Sequence, residues 1–245
     1  MSKYMIYPSL LDAYQYMVGI GDYDERMVKQ EELIAKINRV PMPTPEAAAR
    51  GTALNVIIDS LIDHNLKQED APEIAIGHDA EGDRVWCYGV DGFNFGYADK
   101  LIDDLLRHFD GATAQYHTQA DIKVGADVVT LYGYPDYIMG DVVKDLKTTA
   151  RYTVDKYFNH WQHIVYPYCL VASGMLGECE EFQYVVAELK ADRQGVQRGQ
   201  VYVETYYTNQ NEREEKLREF LGGYFLPWLE SVRERITDKK IFCEL

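Results

Sequence analysis

Apolar positions in the first third of the chain recur at helical spacing. They predict helices at about 8–19 and 24–38, then a third at about 45–66 whose Ala48, Leu54, Ile58, Leu61 and Ile62 form one stripe. The loop before that helix, RVPMPTPEAAAR (39–50), holds three prolines, with Thr44 placed to cap the helix and Pro45 at its first position. From about residue 81 the pattern changes. RVWCYGV (84–90) reads as a short strand, and FGYADKLIDDLLRHF (95–109) as a helix ended by Asp110-Gly111. Three strand-like stretches follow at about 113–124, 126–138 and 142–148, then a helix with apolar and aromatic residues at about 156–173. Strands at 181–191 and 200–208 precede a long C-terminal helix at about 210–236. The order of helices, a three-stranded meander, a helix, two strands and a helix predicts one α/β domain over 1–245 with a mixed sheet. Its helical N-terminal part covers about 1–80, its core about 81–208 and its C-terminal helix about 210–236.

Composition narrows the function classes. At 245 residues and 47% hydrophobic, the chain can bury a sizeable core. No apolar run approaches the roughly 18 residues of a membrane helix. The opening MSKYMIYPSLLDAYQYMV carries Asp12 and several tyrosines where a signal peptide would be apolar, so a cytoplasmic protein without membrane contact is expected. Cys87, Cys169, Cys179 and Cys243 form no CxxC pair, which argues for reduced thiols and against a zinc ribbon. The net charge of −15 argues against a non-specific DNA coat, because phosphate neutralisation drives that kind of binding. It is compatible with an enzyme whose acids cluster around a divalent cation and whose basic groups are local.

Chemistry concentrates in GYPDYIMGDVVKDLKTT (133–149). If Gly140-Asp141 is a two-residue hairpin loop, glycine at the first position suits a type II′ turn. Pairing then steps back until Asp136 lies opposite Asp145, with Cβ atoms roughly 5 Å apart. Two carboxylates that close call for a cation between them, and hard oxygen donors suit Mg²⁺ or Mn²⁺. Lys147 returns to the same strand face two residues on. Acid-x-Lys by itself is common here, occurring five times, but only the copy at 145–147 has an acid across a hairpin. A surface hairpin with a salt bridge is the rival account of the same residues.

Gly133-x-x-Asp136, then Val143-x-Asp145-x-Lys147-Thr148-Thr149, then a helix carrying Gln162-x-x-x-Tyr166, resembles the PD-(D/E)xK nucleases, and within them the RecB-like and phage exonuclease branch. Tyr7 to Tyr14 resembles that branch's opening helix, and Arg50-Gly51-x-x-x-Asn55 its G-x-x-x-H segment. The resemblance spans roughly residues 7 to 166. It implies a restriction-endonuclease-like core, a central mixed β-sheet flanked by helices, with extra N-terminal helices and a long C-terminal helix. It implies that Asp136, Asp145 and the backbone carbonyl of Leu146 hold Mg²⁺, with Mn²⁺ as a substitute. Lys147 would orient or activate the attacking water, and Gln162 and Tyr166 would look over the site. It implies DNA as substrate, as linear ends or single strands, with a phage or recombination protein as a partner.

One departure counts. Asn55 stands where the branch often has a histidine ligand; Asp59, one turn on, or Asp99 or Asp103 on the 95–109 helix, are the replacements the sequence offers. The cysteine spacing does not supply the iron–sulfur cluster of some relatives. Lys190, Arg193 and Arg198 form a local basic cluster at the 192–199 turn, open to phosphate contact or simply solvated. The 20 tyrosines invite a base-stacking role, but tyrosine is also a good strand residue. His160 and His163 receive no role. The expectation is a Mg²⁺-dependent deoxyribonuclease acting as an exonuclease; the rivals are a nuclease fold that binds DNA or assembles without cutting, and an endonuclease on the same fold. Association into a homo-oligomer stays open.

Overall fold

A computed structural model describes residues 3–62 and 73–244. A short strand, β1 (Lys3–Ile6), precedes α1 (Pro8–Gly19), α2 (Tyr23–Ile37) and α3 (Glu46–Ile62). The expected 63–66 end of the third helix lies outside the described residues. Thr44 does not cap that helix. Its hydroxyl donates to Asp91 at 2.6 Å, and the Pro45 carbonyl accepts the first amides, from Ala48 and Ala49.

The chain then forms β2 (Ala75–His78), β3 (Arg84–Val90), β4 (Phe93–Ala98) and α4 (Asp99–Phe109). The expected helix at 95–109 therefore begins four residues late. Asp91 and Gly92 both have positive φ (51° and 84°), as a type I′ hairpin requires, and this turn folds FNFGYA back onto β3 as a strand.

The expected three-stranded meander is instead divided between two sheets. After β5 (Thr113–Ala114) come β6 (Thr118–Val124), β7 (Asp127–Gly133), β8 (Tyr137–Met139) and β9 (Val142–Thr149). Strands β6 and β7 pair with β1 in a three-stranded sheet, whereas β5, β8 and β9 lie in an eight-stranded one. The breaks fall at Gln115, with φ of 51°, and at Tyr134-Pro135-Asp136, where Pro135 has no N–H to give a ladder.

Helix α5 (Gln162–Ala172), then β10 (Glu181–Ala191) and β11 (Val196–Tyr207), complete the core. α5 starts six residues later than its apolar pattern suggests. The amides of Lys156 and Tyr157 go to the Glu204 carboxylate (3.1 and 3.3 Å), the Lys156 amide shared with the Thr153 carbonyl at 3.3 Å in an isolated turn. The C-terminal helix is not one regular element. α6 (Gln210–Phe220) passes through a π-helical turn, Leu221–Phe225, into α7 (Leu226–Ser231). Pro227 cannot donate to residue 223, and the Leu226 amide reaches back to the Leu221 carbonyl, five residues away.

The large sheet runs β2-β3-β4-β11-β10-β9-β8-β5 and is mixed: β9 is parallel to β10 and β4 to β11, while the other pairs are antiparallel. Helices α3 and α4 cover one face, around Leu54, Ile58, Ile102, Leu105 and Leu146. The other face carries Val143, Phe182, Tyr184 and Val186 against Tyr166 and Leu170 of α5. A further core joins the small sheet to α1, α2, α5, α6 and α7. The protein is thus α/β, with a large mixed sheet flanked by helices. Among the described residues no helix is long and apolar enough to cross a membrane, and all four cysteines are free thiols.

Candidate functional site

The site is built on the β8–β9 hairpin. Met139 pairs with Val142, Ile138 with Val143 and Tyr137 with Lys144, so Gly140-Asp141 is the two-residue loop of the expected register. Gly140 has φ of 63° while Asp141 is not in the positive region, the sign pattern of a type II′ turn. The ladder stops at Tyr137, one step short of Asp136. Asp136 therefore does not pair with β9 through its backbone, whose carbonyl accepts the Gln115 amide at 2.9 Å; its carboxylate crosses to accept the Leu146 amide at 3.0 Å.

Strand alternation sorts β9. Lys144 and Leu146 face α4 and α3, where the Lys144 ammonium bonds the His108 carbonyl at 2.7 Å. Asp145 and Lys147 face α5. Asp145 is fully buried. Its Oδ1 accepts from Gln162 Nε2 at 2.7 Å, and its Oδ2 lies 2.6 Å from Lys147 Nζ, an ion pair that leaves Oδ2 without an aligned hydrogen bond. Lys147 Nζ also stands 5.6 Å from the ring centre of Tyr184, which pairs with Asp145 across β10. Tyr166, one turn beyond Gln162, is buried against Gly133, where a Cβ would fall 2.6 Å from its Cε1. Asp136, Asp145, Lys147, Gln162 and Tyr166 are therefore brought together.

Their electrostatics follow from packing so many charges out of water. Burial raises the Asp136 pKa well above the usual carboxylate range, and the neighbouring Asp145 adds to it. Burial also raises Asp145, against the pull of Lys147. For Lys147 burial works to lower the pKa, but Asp145, Asp136 and Asp12 outweigh it and the ammonium is held protonated. Two acids and one cation leave an excess of negative charge that a divalent ion would neutralise.

The residues offered as a further ligand differ in what they touch. Asp59 is braced: its Oδ1 accepts from Tyr137 at 2.6 Å and its Oδ2 from Gln115 at 3.2 Å. Asp99 accepts from the Trp86 indole at 2.7 Å and faces Arg84. Asp103 is exposed. Asn55 Oδ1 is buried with no hydrogen-bond partner among the described residues. It lies one turn from Gly51, where a Cβ would come 2.9 Å from Thr148 Oγ1, and one turn from Asp59. That stripe of α3 runs along β9 and β8, with Asn55 between the two contacts. Among the described residues no three His, Cys, Asp or Glu side chains form a metal-holding group. Asp136 and Asp145 supply carboxylate oxygens, hard donors of the kind that suits Mg²⁺ or Mn²⁺, while the Leu146 carbonyl on β9 and the Asn55 amide on α3 are neutral oxygens of the same hard class.

Neither a protein-family model nor a curated protein matches the sequence. Among solved structures, the crystal structure of SSO0001 is similar at 14% identity over 90% of this chain and 77% of that one, with a TM-score of 0.40. A likeness that slight carries no argument about the site.

The basic cluster at the 192–199 turn is largely self-neutralised. Arg198 pairs with Asp192 at 2.9 Å and with Asp79, and Lys190 with Glu188 at 3.3 Å. Arg193 is exposed. Sequence reasoning missed Asp12. This α1 residue accepts the Trp161 amide at 2.7 Å and lies 3.7 Å from His160. Burial raises its pKa to about 6, with Lys147 pulling it down. His160 is pushed down to about 4 by burial and by Lys147, so it is neutral at pH 7. An acid amid the apolar residues of α1 was the one available signal.

Proposed function

We propose that this chain is a metal-dependent nuclease that hydrolyses DNA phosphodiester bonds, an exonuclease of phage or recombination type on a restriction-endonuclease-like core. The observation that carries the reading is the convergence of Asp136, Asp145 and Lys147 at one hairpin, with Gln162 bonded to Asp145 from the facing helix. Acid-x-Lys is common in this chain, but only at Asp145 is the acid buried and joined by a carboxylate reaching across from the other side of the hairpin.

Asp136, Asp145, the Leu146 carbonyl and the Asn55 amide would hold Mg²⁺, with Mn²⁺ as a substitute. When bound, the cation supplies charge against the phosphate and lowers the pKa of water. Lys147 presents a cation where negative charge develops on the phosphoryl oxygens. Gln162 fixes the rotamer of Asp145, and Tyr166, pressed against Gly133, supports Gln162 from behind. Asp12 adds a further carboxylate that, after Asp145 and Asp136, helps keep the Lys147 ammonium charged.

Asn55 favours a second reading, because a neutral amide binds a cation less tightly than histidine or a carboxylate: a nuclease fold that binds or assembles without cutting. Incubation with linear and covalently closed circular DNA, with Mg²⁺, Mn²⁺ or EDTA, separates the two. Digestion of linear DNA alone, lost in EDTA and reduced on the order of 100-fold or more in Lys147→Ala, is the expected result. Cutting of closed circles would assign an endonuclease. No cutting with either metal would refute the enzyme and leave the binding module.

A further inference from the structure

The charge balance of the chain reverses locally beside α1 and α2. Two adjoining cavities of about 430 and 400 Å³ lie beside α1 and α2 and share Lys36 and Arg39 on the ridge between them. In the first, Lys240 joins these two cations and Asp238 is the one acid. Its floor is apolar, including Leu10 and Ile37, and its wall is the edge-to-face pair Tyr7 and Tyr132, with ring centres 5.7 Å apart. The second cavity adds Lys29 and the exposed Tyr16 and Met42, with Glu32 as its acid. Both acids are already paired, Asp238 with Arg39 at 2.6 Å and Glu32 with Lys29 at 2.8 Å. Lys36 forms no ion pair among the described residues; its ammonium bonds the Ser9 carbonyl at 2.9 Å and stands 5.8 Å from the Tyr7 ring centre. Its side chain is exposed at the mouth, yet protein packed around the ammonium lowers its pKa. A cation crowded in this way gains most from an anion.

The groove adjoins the strand that leads into the acidic site. Tyr132 precedes Gly133, the last residue of β7, which packs on Tyr166, and Asp136 follows Tyr132 by four residues, at most roughly 13 Å of chain. Asp12 is near enough to both that Lys36 and Lys147 each act on its carboxylate.

We propose that this groove binds single-stranded DNA, with phosphates on Lys36, Arg39 and Lys240 and bases against Tyr7, Tyr132 and Tyr16, and that the strand runs from it to the hairpin site. Aromatic rings beside cations over an apolar floor are the features a single strand uses. The proposal takes DNA as the polymer from the nuclease reading but does not need the site to cut.

The test is anisotropy of labelled dT12 in EDTA, for the wild type, Lys36→Gln with Arg39→Gln, and Lys240→Gln alone. Lys240 is exposed and makes no ion pair among the described residues, so its variant reads binding free of any folding defect. We expect at least tenfold weaker binding for the double variant and severalfold for Lys240→Gln. The salt slope should fall by about 1.4 for two lost phosphate contacts. Unchanged affinity and slope in both variants, duplex binding as tight as dT12, or tighter binding of poly-glutamate, which would assign the groove to an acidic protein segment, overturns the proposal. Loss of dT12 binding in a protein that cuts nothing with Mg²⁺ keeps the groove and removes the nuclease reading. Cutting of linear DNA with unchanged variants does the reverse.

Discussion

Replacing Asp12 by asparagine is expected to stabilise the metal-free protein, and to do so only where Asp12 would be ionised. The carboxyl is held at about 6 against an ordinary 3.8, first because it is buried. An acid whose folded pKa is raised binds its proton more tightly when folded. Stability is therefore complete below the unfolded value and declines as pH rises from about 4 through 6. At 1.36 kcal/mol per pH unit the loss is about 3 kcal/mol, and about 2 once the part of the side chain that water still reaches, 21%, is discounted. Asparagine carries no charge at any pH, and its Oδ1 can still accept the Trp161 amide now bonded at 2.7 Å. Urea unfolding in EDTA should place Asp12→Asn about 2 kcal/mol above the wild type near pH 8, with the gap shrinking to less than half near pH 4.5. A gap equal at both pH values would show that the effect is not ionisation. A variant less stable at pH 8 would show that attraction to Lys147 outweighs burial, and would refute the reasoning.

At a concentration 100 times its Kd at pH 8, Mg²⁺ should raise the unfolding free energy by about 2.7 kcal/mol, and the same concentration should do less at pH 6, because Asp136 and Asp145 must shed protons held by burial; thermal melts of Asp145→Asn should show no such shift. Asn55→His should tighten Mn²⁺ binding on the order of tenfold and raise cleavage, while Asn55→Ala should weaken both, as read by titration calorimetry and digestion of linear DNA. Gly133→Ala would place a methyl group 2.6 Å from Tyr166 Cε1 and should cost about 1–3 kcal/mol in urea melts, with reduced cleavage as Tyr166 and Gln162 shift.

What the chain discloses by its own pattern, and what it withholds, divides along sequence distance. The β8–β9 register was legible because a two-residue loop is a local device: Gly140 selects the turn, and the turn aligns every pair on either side. The β3–β4 hairpin was equally local, its Asp91-Gly92 signal outweighed by the helical spacing of the residues after it. The division of the expected meander into two sheets had a local cause, Pro135, but its consequence depends on β1, more than a hundred residues earlier. Arg198 has one partner within its own turn, Asp192, six residues back, but its other partner, Asp79, is 119 residues away and cannot be read from the spacing. Asp12 shows the limit most clearly. Helical periodicity reports which face of α1 is buried and nothing about what it is buried against, and the Trp161 amide that receives Asp12 lies 149 residues on. The acids that define the hairpin could be read from their spacing, but the groups that set their charge arrive from α1, α3 and α5. A site assembled from one local turn and three distant helices yields its hairpin acids to the sequence before it yields their pKa values. For that reason the pH-dependent experiments, more than the substitution of Asp136 or Asp145, test what the fold adds.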